Sequence, residues 1–597
     1  MRHHVPNTGI HHSSFPVVAG GGDPGDWSSK AGNLRGHRPR LQPARSSQIS
    51  NFKSQIRRLL PALALVVGQW SLVISSLALP TRLAAAEVDF TSASIADLNQ
   101  AFAAGTLTSE KLTQLCLARI AAYDHAGPGL NAVITLNPKA LDEAKALDAE
   151  RKAKGPRSAL HGIPVVFKDN FDTFDLQTSG GFFGLKGSLP PQDATIVARL
   201  RAAGAIVLAK VNLSEFASGG AMSSLGGQSH NPHALDYSPA GSSGGTGVSI
   251  AAGYAPLGYG TDTGGSIRGP STNNGIVGLK PTHGLLSRAG IIPLALSFDT
   301  GGPMARNVSD IAVSLNVTAG APDPRDDATK KSEGKVAKDY TQFLDPNALK
   351  GARIGVARDF LGQDPEVDSI IEGALATLKA QGATVIDIKY PAALHAVRTD
   401  LYNAIRRPEF KYQIQDYLAT LKPGFPKTHA DILALSEKMM SPSPEGFVPN
   451  HGRLALYRLE AKSPPLNDPA YLAAKNYGLP YVRESLQAIF ETNKLDAIVY
   501  PTSPRRPQKI GEEPSAAAAT GPNAPPSPTN FANLSGFPDL IVPAGFTTNG
   551  LPVGISFFGP AFSEPKLLGL GYAFEQASHA RRLPVTTPAL PGEKIRI

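Results

Sequence analysis

Residues 217–290 are dense in glycine, serine, threonine and asparagine and carry few charges. Loops beyond about 12–15 residues are uncommon inside a compact domain and are usually functional when they occur. This stretch is therefore too long for a linker and reads as a scaffold of functional loops. Its flanks narrow the fold further. Before it, the pattern predicts helix over 92–125, with Ser92 or Ser94 and then Thr108 as caps. A charged amphipathic helix follows over 139–154, then a strand at 163–168, a helix at 194–203 with Asp193 placed to cap it, and a strand at 205–210. After it come helical segments at 367–382 and 392–420, a proline-rich stretch at 421–450, and strand-like runs at 496–500, 540–543 and 554–558. An Ala/Pro-rich loop covers 513–528 and a final helix 565–580. Alternation of buried strands with helices argues for an α/β fold with a mixed sheet.

Composition matters chiefly at the N-terminus. Residues 1–86 hold ten Lys/Arg against two acids, Asp23 and Asp26, so they carry +8 of the chain's +9. The near-neutral remainder offers no footprint for a phosphate backbone, and no nucleic-acid partner is expected. Residues 1–58 read as a basic, disordered segment. Arg57 and Arg58 precede an apolar run from Leu59 to Leu79, closed by Pro80 and Ala84-Ala85-Ala86. Positive flank, apolar run and small-residue exit make residues 59–86 a signal peptide with Glu87 as the mature terminus. The run at 59–79 is also long enough to span a bilayer, so a retained membrane anchor is the rival reading. Both readings export residues 87–597, to the periplasm or beyond. The single cysteine, Cys116, lies on a helical pattern and reads as a small buried hydrophobe; it permits no intrachain disulfide.

Two glycine–serine clusters stand inside the central stretch. One is Ser238-Pro-Ala-Gly-Ser-Ser-Gly-Gly-Thr-Gly247, the other Gly258-Tyr-Gly-Thr-Asp-Thr-Gly-Gly-Ser-Ile-Arg268. Neither ends in the Gly-Lys-Ser/Thr of a phosphate-binding loop, and Thr263 stands where a dinucleotide motif needs its third glycine. Each abuts an apolar run, which a flexible linker does not explain. Together they resemble the amidase signature family: Gly-Ser-Ser-Gly-Gly, then Asp-Thr-Gly-Gly-Ser-Ile-Arg, with 24 residues from Ser242 to Ser266. Further matches are Gly162 to Asp169, Lys210-Val-Asn-Leu-Ser-Glu-Phe216, Gly278-Leu-Lys-Pro-Thr282, Gly302-Pro-Met-Ala-Arg306, Pro501-Thr502, Pro543-Ala-Gly545 and Gly550-Leu-Pro-Val-Gly554. The resemblance covers roughly 90–585. It implies one large catalytic domain over 87–597, with a central mixed, twisted sheet under helices and a variable helical region at about 390–480.

The same resemblance implies a serine hydrolase that needs no metal or cofactor and acts on a small-molecule or peptide amide. Ser266 is the expected nucleophile, bridged by Ser242 to Lys168 as base. A serine needs such a base to attack, and a lysine serves only when its pKa falls from about 10.4 towards the working pH. Burial at the end of an apolar strand supplies that shift, provided Asp169 points to the other face. The backbone N–H groups of Thr263, Gly264, Gly265 and Ser266 are the expected oxyanion donors. Gly241, joined to Ser242 by a cis peptide, and Asp262 and Arg268 are expected to support the nucleophile loop. Two departures touch loop geometry: Ala240 replaces a common glycine, and Ser271-Thr-Asn-Asn274 replaces a smaller segment. His161, His230, His233 and His283 lie near the motifs but read as loop or core histidines, and Ser243 competes with Ser242 for the bridge.

Two rival functions share these motifs. An amidotransferase subunit would release ammonia for tRNA-linked amidation, and a non-catalytic, membrane-anchored protein would use the scaffold for binding. The export segment argues against the first, and retention of all three relay residues against the second. Gly290-Ile-Ile-Pro293 and Phe298-Asp-Thr-Gly-Gly-Pro303 lean towards secreted peptide amidases.

Overall fold

Local signals set the first helices as expected. In the computed structural model, which describes residues 87–512 and 527–597, Ser94 caps Ile95–Ala104 in a capping box with Asp97. Thr108 caps Ser109–Tyr123. Each cap satisfies backbone N–H groups that the first helical turn leaves without partners. Asp193 does not cap the next one. Thr195–Ala202 starts after Ala194 with no side-chain cap, because Asp193 is turned to the Phe174 N–H and to Arg201. The expected segments at 1–58 and 59–86, the anchor run included, and most of the 513–528 loop lie outside the described residues. Among the described residues no helix is long and apolar enough to cross a membrane.

Among the described residues eleven strands form the main sheet, numbered in chain order: β1 Val133–Leu136, β2 Pro164–Lys168, β3 Ile206–Val211, β4 Leu257–Asp262, β5 Val277–Lys280, β6 Thr300–Ala305, β7 Arg353–Ala357, β8 Thr384–Ile388, β9 Ala497–Pro501, β10 Asp539–Phe546 and β11 Pro552–Phe558. Their spatial order is β8-β7-β9-β11-β10-β5-β6-β4-β2-β3-β1. β2 is parallel to both β3 and β4, whereas β6 runs antiparallel to β4 and β5. The sheet is therefore mixed, as expected. Every residue of β2, β3 and β4 is buried, the mark of strands covered on both faces. The described residues fall in one compact unit. The 390–480 region is helical, led by the long helix Ala392–Ala419.

The central stretch is more ordered than a set of loops. It contains α1, Gly244–Ala251, and α2, Arg268–Asn273, as well as β4 and β5. All eight residues of α1 are buried. Its glycines serve close approach rather than flexibility. A Cβ on Gly245 would sit 2.4 Å from the Asn212 carbonyl oxygen and 2.8 Å from that of Ala132. Ala132 precedes β1 and Asn212 follows β3, so α1 can lie against this edge of the sheet only with glycine there.

Candidate active site

Strand alternation decides which groups meet at the end of β2. Lys168 and Asp169 point to opposite faces, as the sequence suggested. Asp169 takes Lys210 at 3.0 Å and the Ser179 hydroxyl. Lys168, fully buried, points the other way, and its Nζ lies 2.6 Å from Ser242 Oγ and 2.7 Å from Thr261 Oγ1. Burial pulls its amine down to about 7, against the opposing pull of Asp262 and Asp299. A lysine at that value is partly neutral near pH 7, the state a base requires.

Ser242 and Ser243 separate cleanly. Ser242 reaches the lysine through a cis Gly241–Ser242 peptide, whereas the Ser243 hydroxyl bonds the Thr261 backbone at 3.2 Å. Ser266 comes alongside because the Ser243 N–H donates to its carbonyl at 3.1 Å. Among the described residues no hydrogen bond joins the Ser242 and Ser266 hydroxyls in this conformation. Lys168 and Ser242 are thus in direct contact, and the Ser266 backbone lies beside Ser243.

The loop carrying Ser266 is clamped from below. Buried Asp262 accepts from the N–H of Gly265 at 2.8 Å and of Ile267 at 3.0 Å, and from Arg268 Nε at 3.2 Å. Burial alone would raise its pKa, but Arg268 and these donors hold it well below the usual carboxylate range. Arg268 also meets Asp539 at 3.3 Å and the Asn533 side chain at 2.6 Å. This network ties Asp262 and Arg268 to the loop that carries Ser266. It also corrects one expected oxyanion donor. The Gly265 N–H is taken by Asp262, which leaves those of Thr263, Gly264 and Ser266. Gly265 itself has φ +111° and lies against Thr529, so a side chain there would collide at 2.2 Å.

Both departures from the motif find a place. Ala240 adopts φ +58°, the left-handed region glycine favours. Asn273 and Asn274 donate to the carbonyls of Ser238 and Pro239, each at 3.0 Å, and so pin the strand of chain that leads into Ser242. The four nearby histidines each bond a backbone carbonyl: Leu147, Leu235, Asn274 and Leu296 in turn. Cys116 is buried and pushed up to about 12 by burial. Among the described residues no group of three metal-ligating side chains is placed to hold an ion.

Sequence reasoning missed Thr261, Asn533, Asp299 and Tyr402. Thr261 stands inside the second cluster, and its parallel neighbour β2 signals its closeness to Lys168. Asp299 accepts from Thr263 Oγ1 at 2.5 Å and from two backbone N–H groups. Asn533 and Tyr402, which packs its hydroxyl against Gly264, arrive from more than 130 residues away and leave no local signal.

Comparison with known proteins bears on the family and the fold. The family model described as Amidase matches residues 111–568. A protein named "Probable amidase" in Arabidopsis thaliana is 35% identical over 82% of this chain and 91% of its own length. A glutamyl-tRNA(Gln) amidotransferase subunit of Pseudomonas fluorescens is 36% identical over 81% and 96%. Among solved structures, native peptide amidase from Stenotrophomonas maltophilia matches with a TM-score of 0.76 and 39% identity, over 84% of this chain and 99% of that one.

Proposed function

This chain belongs to the amidase family and is an amide-hydrolysing enzyme, and on that premise we propose that it works through an acyl-enzyme on Ser266, with Lys168 as base and Ser242 as relay. The carrying observation is the buried Lys168 amine, lowered to about 7 and 2.6 Å from Ser242 Oγ. Ser266 Oγ bonds to the carbonyl carbon while its proton passes to Ser242 and the Ser242 proton to Lys168 Nζ. The oxyanion takes the N–H groups of Thr263, Gly264 and Ser266, each such donor lowering the barrier by about 3–4 kcal/mol. The carbon–nitrogen bond then breaks, and the amine leaves with the proton returned by Lys168. Water gives up a proton along the same route, attacks the acyl ester, and releases the acid and free Ser266. The Ser242–Ser266 leg has to close on substrate binding, as catalytic hydrogen bonds in unliganded enzymes often do.

Peptide C-terminal amides are the substrate class we favour. The likeness to peptide amidase and the segments Gly290–Pro293 and Phe298–Pro303 support this over the amidotransferase role. We also read residues 59–86 as an export segment that leaves Glu87 as the mature terminus. A panel of aliphatic, aryl and peptide C-terminal amides, assayed for ammonia, tests the chemistry. Wild type should release ammonia and Ser266→Ala none; full activity in that variant removes Ser266 as nucleophile. Mass spectrometry of the mature N-terminus tests export, and an intact Met1 in soluble cytosol would overturn it.

A further inference from the structure

The motif Gly302–Arg306 is not used by the relay. β6 begins beside the site, where Thr300 pairs with Asp262, and ends at Ala305 opposite Leu257, the start of β4. Arg306 therefore sits at the far end of the sheet. A cavity of about 230 Å³ opens there, lined by Arg306, Asn307, Glu575, Ser578 and Arg581 among others. Arg306 is only 2% exposed. Its Nη1 donates to the carbonyls of Phe90 and Ala93, and its guanidinium lies over the Phe90 ring. Its Nε and Nη2 have no hydrogen-bond partner, and the same holds for buried Arg581 Nε and Ser578 Oγ.

Nε and Nη2 form one edge of the guanidinium, the two-pronged face that matches two oxygens of a carboxylate or phosphate. A buried polar group left unpaired costs about 1–3 kcal/mol, more for a charged one. Asp310 attracts Arg306, and Glu575 and Asp310 attract Arg581, but burial outweighs that attraction in both. Each guanidinium is driven down to about 10, Arg306 by burial and then by Arg581, and Arg581 by burial. The neighbouring carboxyls do not fill the role. Glu575 accepts the Val308 N–H, and Asp310 accepts the Ile95 N–H and the Asn307 side-chain amide. Burial raises Glu575 to about 8 and Asp310 to about 7, so neither is fully charged at neutral pH.

We propose that this cavity binds a small oxyanion whose oxygens accept from Arg306 Nε and Nη2 on one side and from Arg581 Nε and Ser578 Oγ on the other. The site is separate from the relay and stands whether or not Ser266 is the nucleophile. Calorimetric titration of the full chain with inorganic phosphate and, separately, with acetate tests it, in a buffer free of other oxyanions. One equivalent should bind; tighter phosphate assigns the site to tetrahedral anions and tighter acetate to carboxylates. Arg581→Gln should weaken binding by about tenfold or more, as expected for one charge-assisted hydrogen bond, and Ser578→Ala by less. Neither change should alter amide turnover, and Ser266→Ala should bind the anion unchanged. A crystal soaked in selenate should show its anomalous peak at the Arg306 edge. No uptake at millimolar anion, equal affinity in Arg581→Gln, or water alone at that edge would each overturn the proposal.

Discussion

Lys168 and Lys280 share a condition: each is buried, and burial pulls each amine down to about 7. Lys280 donates to the carbonyls of Pro281 and Phe537 at 2.8 Å, so its depressed pKa leads nowhere, while Lys168 faces a serine hydroxyl. Geometry rather than pKa thus tells the two lysines apart. If Lys168 acts as an amine base, kcat/KM should rise with pH through about 7 and then level off. Lys168→Ala should lose most activity at neutral pH and recover part of it at high pH, where hydroxide replaces the base. A flat profile in the wild type would count against a lysine base. A linked effect appears in stability. The folded-state pKa of Lys168 lies below its unfolded value, so the unfolded chain holds the extra proton between about 7 and 10.5. Wild type should therefore gain stability relative to Lys168→Met as pH rises through that window, a difference that thermal melts of the two proteins can read. Asp262→Asn leaves Arg268 buried without its main partner, and such breaks cost about 3–5 kcal/mol. Chemical denaturation should register that loss, and activity should fall with it because the Ser266 loop hangs on this carboxylate.

Glycine in this chain means different things in different elements. Gly245 in α1 faces backbone at 2.4 Å, whereas Gly373, in the helix Pro365–Ala380, meets nothing within 4 Å. Gly245→Ala should cost at least the ~1–3 kcal/mol typical of overpacking, because the atoms it meets are main chain and cannot swing away. Gly373→Ala should gain up to about 1 kcal/mol from helix propensity alone. Denaturant midpoints of the two variants should move in opposite directions, and equal shifts would refute the packing role of α1. The same contrast explains why a Gly/Ser-rich stretch read as loops holds two helices. A glycine that permits close approach and one that permits bending look alike in a sequence. Asp193 failed as a cap for a related reason: Arg201 and the Phe174 N–H compete for its carboxylate and win.

At the scale of the molecule, the two ends of the described chain close on each other. Glu87–Asp89 pairs with Lys594–Arg596, and buried Phe90 lies under Arg306. A chain beginning at Glu87 should fold and hydrolyse amides as the full chain does. One beginning at Ser94 removes Phe90 and should lose about 3–5 kcal/mol, the usual cost of deleting a buried aromatic side chain; comparable melting temperatures would deny the N-terminal strand that role. The amino-acid order alone determined the alternation of strands and helices and the mixed α/β class, and it carried the motifs on which the family likeness rests, because short motifs and residue periodicity are local properties. Only the tertiary structure decided that Thr261 shares the lysine, that Asp262 withdraws the Gly265 N–H, that Asn533 completes the anchor, and that two arginines 275 residues apart line one cavity. Those facts depend on which distant segments the sheet order brings side by side, and hydrogen-bond partners that far apart in the chain leave no mark on the residues next to either of them.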